Sequence, residues 1–302
     1  MYNVAVLLSI FNGEKYLKYQ LKSLRNQKKV NVKLFVIDDN SIDNSINEIK
    51  NSNINHQIFD QKGFGDPHKN FFYLIKNVPQ TYDYYCFCDQ DDVWFKNKVI
   101  YSINKLSINN ASIIGSTTIH TNKNLKILGR STYFKKELSM ENALVQSICG
   151  GNTMLWTNKF QNIVSKLNLS TPASHDWMMY QIAMSLGKKF IYCKRPLVLY
   201  RQHENNNIGS NVGLKNLIIR IYWGLLGRYK TFHDLNKAHL YNLIEKNYVN
   251  KKNSNLIKNF YENRNNKNLF LRVKKILIDL KLYRQTFSGN LMLLIALILK
   301  RV

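Results

Sequence analysis

The sequence has few of the residues that break or cross-link a fold. Its 302 residues include four prolines, thirteen glycines and four cysteines. Four cysteines do not make a disulfide framework in a chain this long, and no second close Cys or His pair gives them the ligand spacing of a zinc site. Cys86 and Cys88 alternate within an apolar run, so we interpret them as small core residues of one strand.

Acidic residues are also scarce. Nineteen Asp and Glu accompany 44 Lys and Arg, which gives a formal net charge of +25. From Glu204 onward, 18 basic residues face five acidic ones, so about half of the excess lies in the last third. The positive electrostatic potential of such a chain favours an anionic partner: a nucleic acid, an anionic membrane surface or phosphorylated substrates. A bias of the genome towards Lys, Asn and Ile codons is the open alternative.

Long apolar runs are absent as well. The longest, over 291–299, is too short to cross a bilayer as a helix. The first residues lack the charged start and the cleavage site of a signal peptide. We therefore predict a cytoplasmic protein, peripheral on the inner face of the cell membrane. With 45% hydrophobic and 12% aromatic residues the chain can bury a full core, which excludes general disorder.

Apolar runs of strand length alternate with helical stretches up to about residue 118. Strands over 4–10 and 32–37 enclose a helix over 14–26, which is the βαβ pattern of a parallel sheet. We predict further helices over 41–51, 67–77 and 97–107, and further strands over 56–59, 84–88 and 111–117. Beyond residue 118 the pattern predicts a strand over 149–156, a helix over 177–186, and a strand with its exit over 190–201.

The last third is predicted to be helical and basic. We predict a domain over 1–206, with halves of about 1–118 and 119–206, followed by a helical basic region over 207–302. Two apolar and aromatic segments with interspersed cations, 214–229 and 287–302, suit helices lying in a membrane interface. Helices packed on the first domain are the open alternative.

Each polar cluster follows the carboxyl end of a predicted strand, where open α/β sheets bind ligands. The strongest cluster is Asp89-Gln90-Asp91-Asp92. Three carboxylates within four residues repel one another unless a cation or many donors compensate, and Mg²⁺ or Mn²⁺ takes such oxygen ligands. An acidic helix N-cap is the structural alternative, although a cap needs only one carboxylate. Asp39 and Asp176 also lie where Asp commonly caps a helix, so either a structural or a functional role is open for both.

Five motifs occur in a set order along the chain. They are Ser9-Ile10-Phe11-Asn12-Gly13-Glu14, Asp38-Asp39-Asn40-Ser41, Asp89-Gln90-Asp91-Asp92-Val93-Trp94, Ser174-His175-Asp176-Trp177 and Tyr200-Arg201-Gln202-His203. Together they resemble the family 2 glycosyltransferases, and within them the bacterial rhamnosyltransferase-like branch, over about residues 3–206. The resemblance implies a GT-A fold, which is an α/β fold with a mostly parallel sheet sandwiched by helices, here with a helical basic C-terminal extension.

The resemblance also implies an activity. It implies inverting transfer of a sugar from a nucleoside-diphosphate sugar, dTDP-rhamnose or a UDP-sugar, to a hydroxyl of a glycan or lipid-linked oligosaccharide in surface polysaccharide synthesis. Carried over by position, the nucleotide-binding residues are Ser9, Phe11, Asn12, Glu14, Asp39, Lys69 and Asp91. The ligands of Mn²⁺ or Mg²⁺ are Asp89, Asp91, Asp92 and His203. Trp177 and Arg201 belong to the donor and acceptor pocket, and Asp176 is the general base. Gly150 and Gly151 would let the backbone approach the donor sugar in that pocket, and a bulge or tight bend is the open structural alternative.

Two other functions fit part of the pattern. A nucleotidyltransferase also binds a nucleotide and a metal beside a parallel sheet, but it usually needs a Gly-rich phosphate loop near the first strand, and Asn12-Gly13-Glu14 is not one. A basic nucleic-acid-binding protein fits the sequence pI of 9.8, but the acidic clusters would lie on the face that it would use. No nucleic-acid partner is therefore expected.

Overall fold

Strands and helices alternate along the first part of the chain in the computed structural model, which describes residues 1–169, 173–204 and 226–302. The elements are β1 (Tyr2–Ile10), α1 (Glu14–Arg25), β2 (Val30–Asp38), α2 (Ser45–Lys50), β3 (Asn55–Ile58), α3 (Pro67–Asn77), β4 (Tyr84–Cys88), β5 (Val93–Trp94), α4 (Lys98–Ile108), β6 (Ile113–Ser116), β7 (Ile119–Thr121), β8 (Ile127–Arg130), α5 (Met140–Ala143), β9 (Leu155–Thr157), α6 (Asn158–Val164), α7 (His175–Ser185), β10 (Phe190–Cys193), β11 (Val198–Arg201), α8 (Arg228–Glu245), α9 (Lys251–Asn263), α10 (Leu269–Val273) and α11 (Phe287–Ile298).

The chain divides into two compact units. The first consists of Met1–Tyr133, Cys149–Ser170 and Ile191–Val212, and the second of Phe134–Ile148, Thr171–Phe190 and Gly213–Val302. Helices α5 and α7 thus group with the C-terminal helices. The domain boundary predicted at 206/207 lies outside the described residues, as does the part 214–225 of the predicted segment 214–229.

A seven-stranded sheet forms the centre of the first unit, in the order β10-β6-β9-β4-β1-β2-β3. Strand β1 is parallel to β2 and to β4, and β2 is parallel to β3, whereas β9 is antiparallel to both of its neighbours. Val4, Val6 and Leu8 are buried with Leu17 and Leu21 of α1 in one core cluster. The predicted α/β fold with a mostly parallel sheet between helices is confirmed.

A second sheet of four short strands, in the order β5-β11-β7-β8, completes the first unit. Strand β11 pairs with β5 and β7, so it brings the residues after β4 next to the chain leaving β11. This pairing matters because the acidic cluster and the motif at residues 200–203 lie on these two segments.

Three predicted elements were wrong in extent. The strand with its exit predicted over 190–201 is two strands, β10 and β11, which belong to different sheets. The strand predicted over 149–156 is a 3₁₀ turn, Gly151–Thr153, followed by the short strand β9, because Thr153 and Met154 donate backbone hydrogen bonds to Gly150 and Gly151. The helix predicted over 41–51 begins only at Ser45. Side-chain hydrogen bonds to the backbone hold the residues before it in a loop, as Asp38 does for the Ser41 N–H.

Apart from Phe190, the first residue of β10, the described residues of the second unit form helices and the loops that join them. Every residue of α7 except Asp176 is buried, so this helix forms the centre of the unit. Two arginines are also buried: Arg264 pairs with Asp234 and donates to the carbonyl of Val302, and Arg272 donates to carbonyls near the end of α11. Within the described part of the chain, no helix combines the length and apolar character that crossing a membrane requires.

Candidate active site

The loops that follow β1 and β4 are clamped together by one side chain. Gln90 accepts a hydrogen bond from the Phe11 N–H and donates one to the Phe11 carbonyl, both at 2.9 Å. Gly13 lies so close to the Gln90 amide that a Cβ there would collide with it. Sequence motifs alone did not identify this clamp, although both residues belong to the quoted motifs.

The loops after β1 and β2 are joined by reciprocal hydrogen bonds. Asn12, whose φ of 45° is in the left-handed region, donates its N–H to Ser41 Oγ at 3.0 Å and accepts from the Ile42 N–H at 2.9 Å. Glu14 accepts from the Asn44 N–H at 3.2 Å. Both predicted nucleotide ligands therefore order the loops at this edge of the sheet, while the Phe11 side chain next to them is exposed.

Asp39 directly follows β2 in a half-buried position. Its Oδ1 accepts from the Gly65 N–H at 2.7 Å. Gly63 approaches Asp39 so closely that no Cβ fits there, and Gly65 has a φ of 66°, so glycine suits both positions. The loop that carries Gly63 and Gly65 thus places its backbone against this carboxylate.

Ser9 and Lys69 lie beside this loop. The Ser9 hydroxyl accepts from Asn70 Nδ2 at 3.0 Å, and Asn70, which is fully buried, also accepts from the Phe64 N–H. Asn70 was missed, although a polar residue on the apolar face of α3 is a detectable signal. Lys69, in the first turn of α3, lines a cavity of about 240 Å³ together with Phe64.

Asp91 and His203 form a pair at the end of the acidic loop. Asp91 Oδ2 lies 2.7 Å from His203 Nε2, and the two side chains are 15% and 12% exposed. The imidazole stacks on the ring of Tyr16 with centroids 4.7 Å apart. Strand β11 delivers His203 to this place because it pairs with β5, the strand that follows the acidic loop.

Asp92, the next residue, points inward. It is fully buried, accepts from Asn152 Nδ2 at 2.5 Å and accepts from the Arg201 N–H at 3.2 Å. Burial, followed by the charges of Asp91 and Asp89, holds the pKa of Asp92 well above its usual range. Its partners fix it as an anchor of the loop, whereas Asp89 and Asp91 stay partly exposed.

Arg201 also supports the acidic loop from inside. It is 2% exposed, and its guanidinium donates to the carbonyls of Asp91 at 2.7 Å and Lys123 at 2.6 Å. The guanidinium lies over the rings of Tyr16 and Tyr19, with centroids 4.6 and 5.1 Å away. Arg201 therefore holds the backbone that presents Asp91.

Gly150 and Gly151 precede Asn152 in the 3₁₀ turn. A Cβ on Gly150 would lie 2.8 Å from Asn152 Oδ1, so glycine leaves the room in which the Asn152 amide turns towards Asp92. Asn152 was not predicted as a site residue, and its contact with Asp92 spans 60 residues of sequence. Only the fold brings these two side chains together.

Asp176 and Trp177 lie in the first turn of α7, in the second unit. Ser174 is the N-cap, and Asp176 Oδ1 accepts from the Ser174 hydroxyl and from the Trp177 N–H, the latter at 2.7 Å. Asp176 is half-buried. Trp177 is 4% exposed and donates its indole N–H to the Ala143 carbonyl at 2.7 Å, so it belongs to the core of this unit.

Among the described residues, no group of three or more His, Cys, Asp and Glu side chains is arranged to hold a metal ion. The pair Asp91 and His203 is the arrangement closest to such a group near the predicted ligands. This pair brings a carboxylate oxygen and an imidazole nitrogen together, and both are atom types that can bind a divalent cation.

Comparison with known proteins agrees with the motifs. The family model of Glycosyl transferase family 2 matches residues 5–164, which confirms the resemblance found in the sequence. The dTDP-rhamnosyl transferase RfbG of Shigella flexneri is 34% identical over 220 residues, which cover 69% of this chain and 75% of RfbG. Neither comparison supports a nucleotidyltransferase or a nucleic-acid-binding protein.

Solved structures agree on the fold. TarS 1-349 of S. aureus in complex with UDP-GlcNAc matches with a TM-score of 0.61 and 12% identity, over 99% of this chain and 89% of TarS 1-349. The mannosyltransferase PcManGT from Pyrobaculum calidifontis in complex with GDP-Man and Mn²⁺ matches with a TM-score of 0.50 and 11% identity, over 99% of this chain and 85% of PcManGT.

Proposed function

Because the chain belongs to glycosyl transferase family 2, we propose that it transfers a sugar from dTDP-rhamnose or a UDP-sugar to a hydroxyl of a glycan or lipid-linked acceptor in bacterial surface polysaccharide synthesis. The observation that carries the proposal is the convergence of the loops after β1, β2 and β4, with the Asp91–His203 pair at their edge. RfbG, whose name specifies dTDP-rhamnose, and the TarS complex with UDP-GlcNAc support a nucleotide-sugar donor.

The nucleoside is proposed to bind at the loops after β1 and β2. The Gly65 N–H fixes one oxygen of Asp39 and so orients the carboxylate for a hydrogen-bond donor of a base or ribose. The exposed ring of Phe11 supplies a stacking surface nearby, and Ser9, Asn12 and Glu14 keep the loops in place. Lys69 adds a positive charge at the start of α3 that favours phosphate.

Mn²⁺ or Mg²⁺ is proposed to bind at Asp91 and His203, and Asp89 contributes its charge to the same loop. A carboxylate oxygen and an imidazole nitrogen, both partly exposed, fit a cation that takes its other ligands from substrate phosphates and water. Asp92 is removed from the proposed ligands because its oxygens are engaged by Asn152 and the Arg201 N–H. The bound metal would neutralise charge that develops on the diphosphate leaving group.

Asp176 is proposed as the general base of an inverting transfer. The acceptor oxygen bonds to the anomeric carbon opposite the nucleotide, and the electron pair of the breaking carbon–oxygen bond leaves with the diphosphate. The acceptor proton goes to Asp176. The first turn of a helix favours an ionised carboxylate, which a base requires, and the half-buried side chain supports this role.

A donor screen tests the proposal. Release of nucleoside diphosphate would be measured with dTDP-rhamnose, UDP-GlcNAc and GDP-mannose, with Mn²⁺ and an acceptor extract of membrane lipids or glycans. Asp91→Asn is the matched control, since it keeps the size of the side chain. We expect one dTDP- or UDP-sugar to be consumed by the wild-type protein and not by the variant. Equal release by both proteins, or salt-dependent binding to DNA without any release, would contradict the proposal.

The protein is further proposed to work at the inner face of the cell membrane, where a lipid-linked acceptor would be found. The concentration of cations in the last third supports attraction to anionic lipids.

A further inference from the structure

Helix α11 has two apolar faces, and the described part of the chain covers only one of them. Leu293 and Leu297 are buried in the second unit, whereas Phe287 is 87%, Leu291 50% and Ile298 45% exposed. At about 100° per residue, the three exposed side chains lie within roughly 40° of one another around the helix axis. A helix that is apolar on all sides normally has partners on all sides.

A buried arginine joins α10 to the end of this helix. Arg272 donates from Nε to the Leu297 carbonyl at 2.7 Å and from Nη2 to the Ile298 carbonyl at 3.2 Å. The three residues before it, Leu269, Phe270 and Leu271, are 46%, 71% and 50% exposed. We call these three and Phe287, Leu291 and Ile298 the apolar strip. Arg272 thereby holds α10 beside the C-terminal end of α11, where Ile298 lies.

The apolar strip lies in a strongly cationic part of the chain. Residues 264–302 contain nine Lys and Arg and one acidic residue, Asp279. Exposed cations flank both helices of the apolar strip. Lys267 precedes α10, and Lys300 and Arg301 follow α11. Exposed apolar side chains flanked by cations are complementary to an anionic lipid interface, in which the side chains enter the acyl boundary and the cations contact headgroups.

A second copy of the chain is a poorer occupant of this surface. In a two-fold interface the same patch meets itself, so the flanking cations of one copy would face those of the other. A bilayer rich in anionic lipid removes that repulsion. The length of α11, 12 residues or about 18 Å, is well short of the roughly 30 Å of a hydrocarbon core, so the helix would lie along the surface.

We propose that the apolar strip is the membrane-docking face of this protein, with α11 parallel to an anionic bilayer. Its purpose rests on the proposed function, since docking would bring the enzyme to a lipid-linked acceptor. Docking itself does not depend on which donor or acceptor is used.

Vesicle sedimentation with two matched double variants tests the proposal. Phe270→Ser with Phe287→Ser changes the two most exposed members of the strip and leaves every cation in place. Ile108→Ser with Ile127→Ser changes two side chains of the first unit that are 79% and 64% exposed. Each protein would be sedimented with vesicles of phosphatidylcholine and phosphatidylglycerol and with vesicles of phosphatidylcholine alone.

We expect the wild-type and control proteins to bind the anionic vesicles alike, and the strip variant to bind at least about tenfold more weakly. Equal binding by the strip variant would overturn the proposal, because attraction by charge alone would then suffice. A wild-type dimer in light scattering that the strip variant loses, with vesicle binding unchanged, would assign the strip to a second copy and also overturn it. If the wild-type protein consumes none of the nucleotide sugars but its vesicle binding still depends on the apolar strip, only the proposed function is contradicted.

Discussion

The acidic loop of the first unit and the first turn of α7 in the second unit hold their carboxylates in different ways. Asp92 is fixed by Asn152 and by the Arg201 N–H, which are 60 and 109 residues away in sequence, and this anchor leaves Asp91 at the surface beside His203. Asp176 is held by Ser174 and the N–H of Trp177, its neighbours in the chain. The acidic loop therefore divides anchoring and the proposed binding of a metal between two adjacent residues, whereas Asp176 must combine its hydrogen bonds at the start of α7 with the proposed catalytic role.

Removing the outward carboxylate should have the largest effect. We expect Asp91→Asn to lower transfer by about 10³-fold, because the charge proposed to hold the metal is lost at the point where the leaving group becomes charged. Its melting temperature should stay close to that of the wild-type protein, since the side chain is partly exposed. Steady-state transfer assays with a Mn²⁺ titration and a thermal melt measure both. Full wild-type activity in excess EDTA would show that no metal is needed.

Removing the inward carboxylate should mainly lower stability. Asp92→Ala leaves the Asn152 amide and the Arg201 N–H without their acceptor in a buried place, which should lower the free energy of unfolding by about 3 kcal/mol. Asp92→Asn keeps one oxygen acceptor and should cost less. Denaturant unfolding of both variants beside Asp91→Asn checks the comparison. A stable Asp92→Ala protein without transfer would restore Asp92 to the metal ligands.

Replacing Asp176 in the first turn of α7 should distinguish a structural role of this carboxylate from a catalytic one. Asp176→Asn keeps the shape of the side chain and an oxygen that can accept from the Ser174 hydroxyl and the Trp177 N–H, but it cannot take the acceptor proton. We therefore expect transfer to fall by about 10²-fold with donor binding and stability unchanged. Transfer rates, donor calorimetry and a thermal melt together decide the matter. Near-normal transfer would leave Asp176 with only a structural role at the start of α7, and weaker donor binding with an intact rate would assign it to substrate contact.

The same contrast explains what the sequence could predict. Strands β1, β2 and β4 and helix α3 were predicted within two residues of their ends, because each is an apolar run of the right period stopped by a polar cluster. The different burial of Asp91 and Asp92 could not be predicted, since both are aspartates in one loop and only contacts across the fold distinguish them. The turn at Gly151–Thr153 was missed for the same reason: its geometry serves the contact between Asn152 and Asp92.

The smallest expected effect is a pH dependence of stability that comes from His233, which packs against the start of α7. His233 is buried against the rings of Trp177 and Phe260, with centroids 5.4 and 5.3 Å away. Burial, and then the charges of Arg264 and Arg284, lower the pKa of His233 to about 3. The folded protein therefore keeps this imidazole neutral over a range in which the unfolded chain, with a pKa of about 6.5, takes up a proton.

Protonation of His233 in the unfolded chain lowers the free energy of unfolding. The contribution of His233 to that free energy is therefore complete above about pH 6.5, and it should fall by about 1.4 kcal/mol for each pH unit below this value. Other groups titrate in the same range, so the informative quantity is the difference between the wild-type protein and His233→Gln, which cannot take up this proton. We expect that difference in unfolding free energy to change by about 1.4 kcal/mol between about pH 7.5 and about pH 5.5. Parallel pH profiles of the two proteins would mean that His233 is protonated in the fold, and that the start of α7 rests on a charged side chain instead of a neutral one.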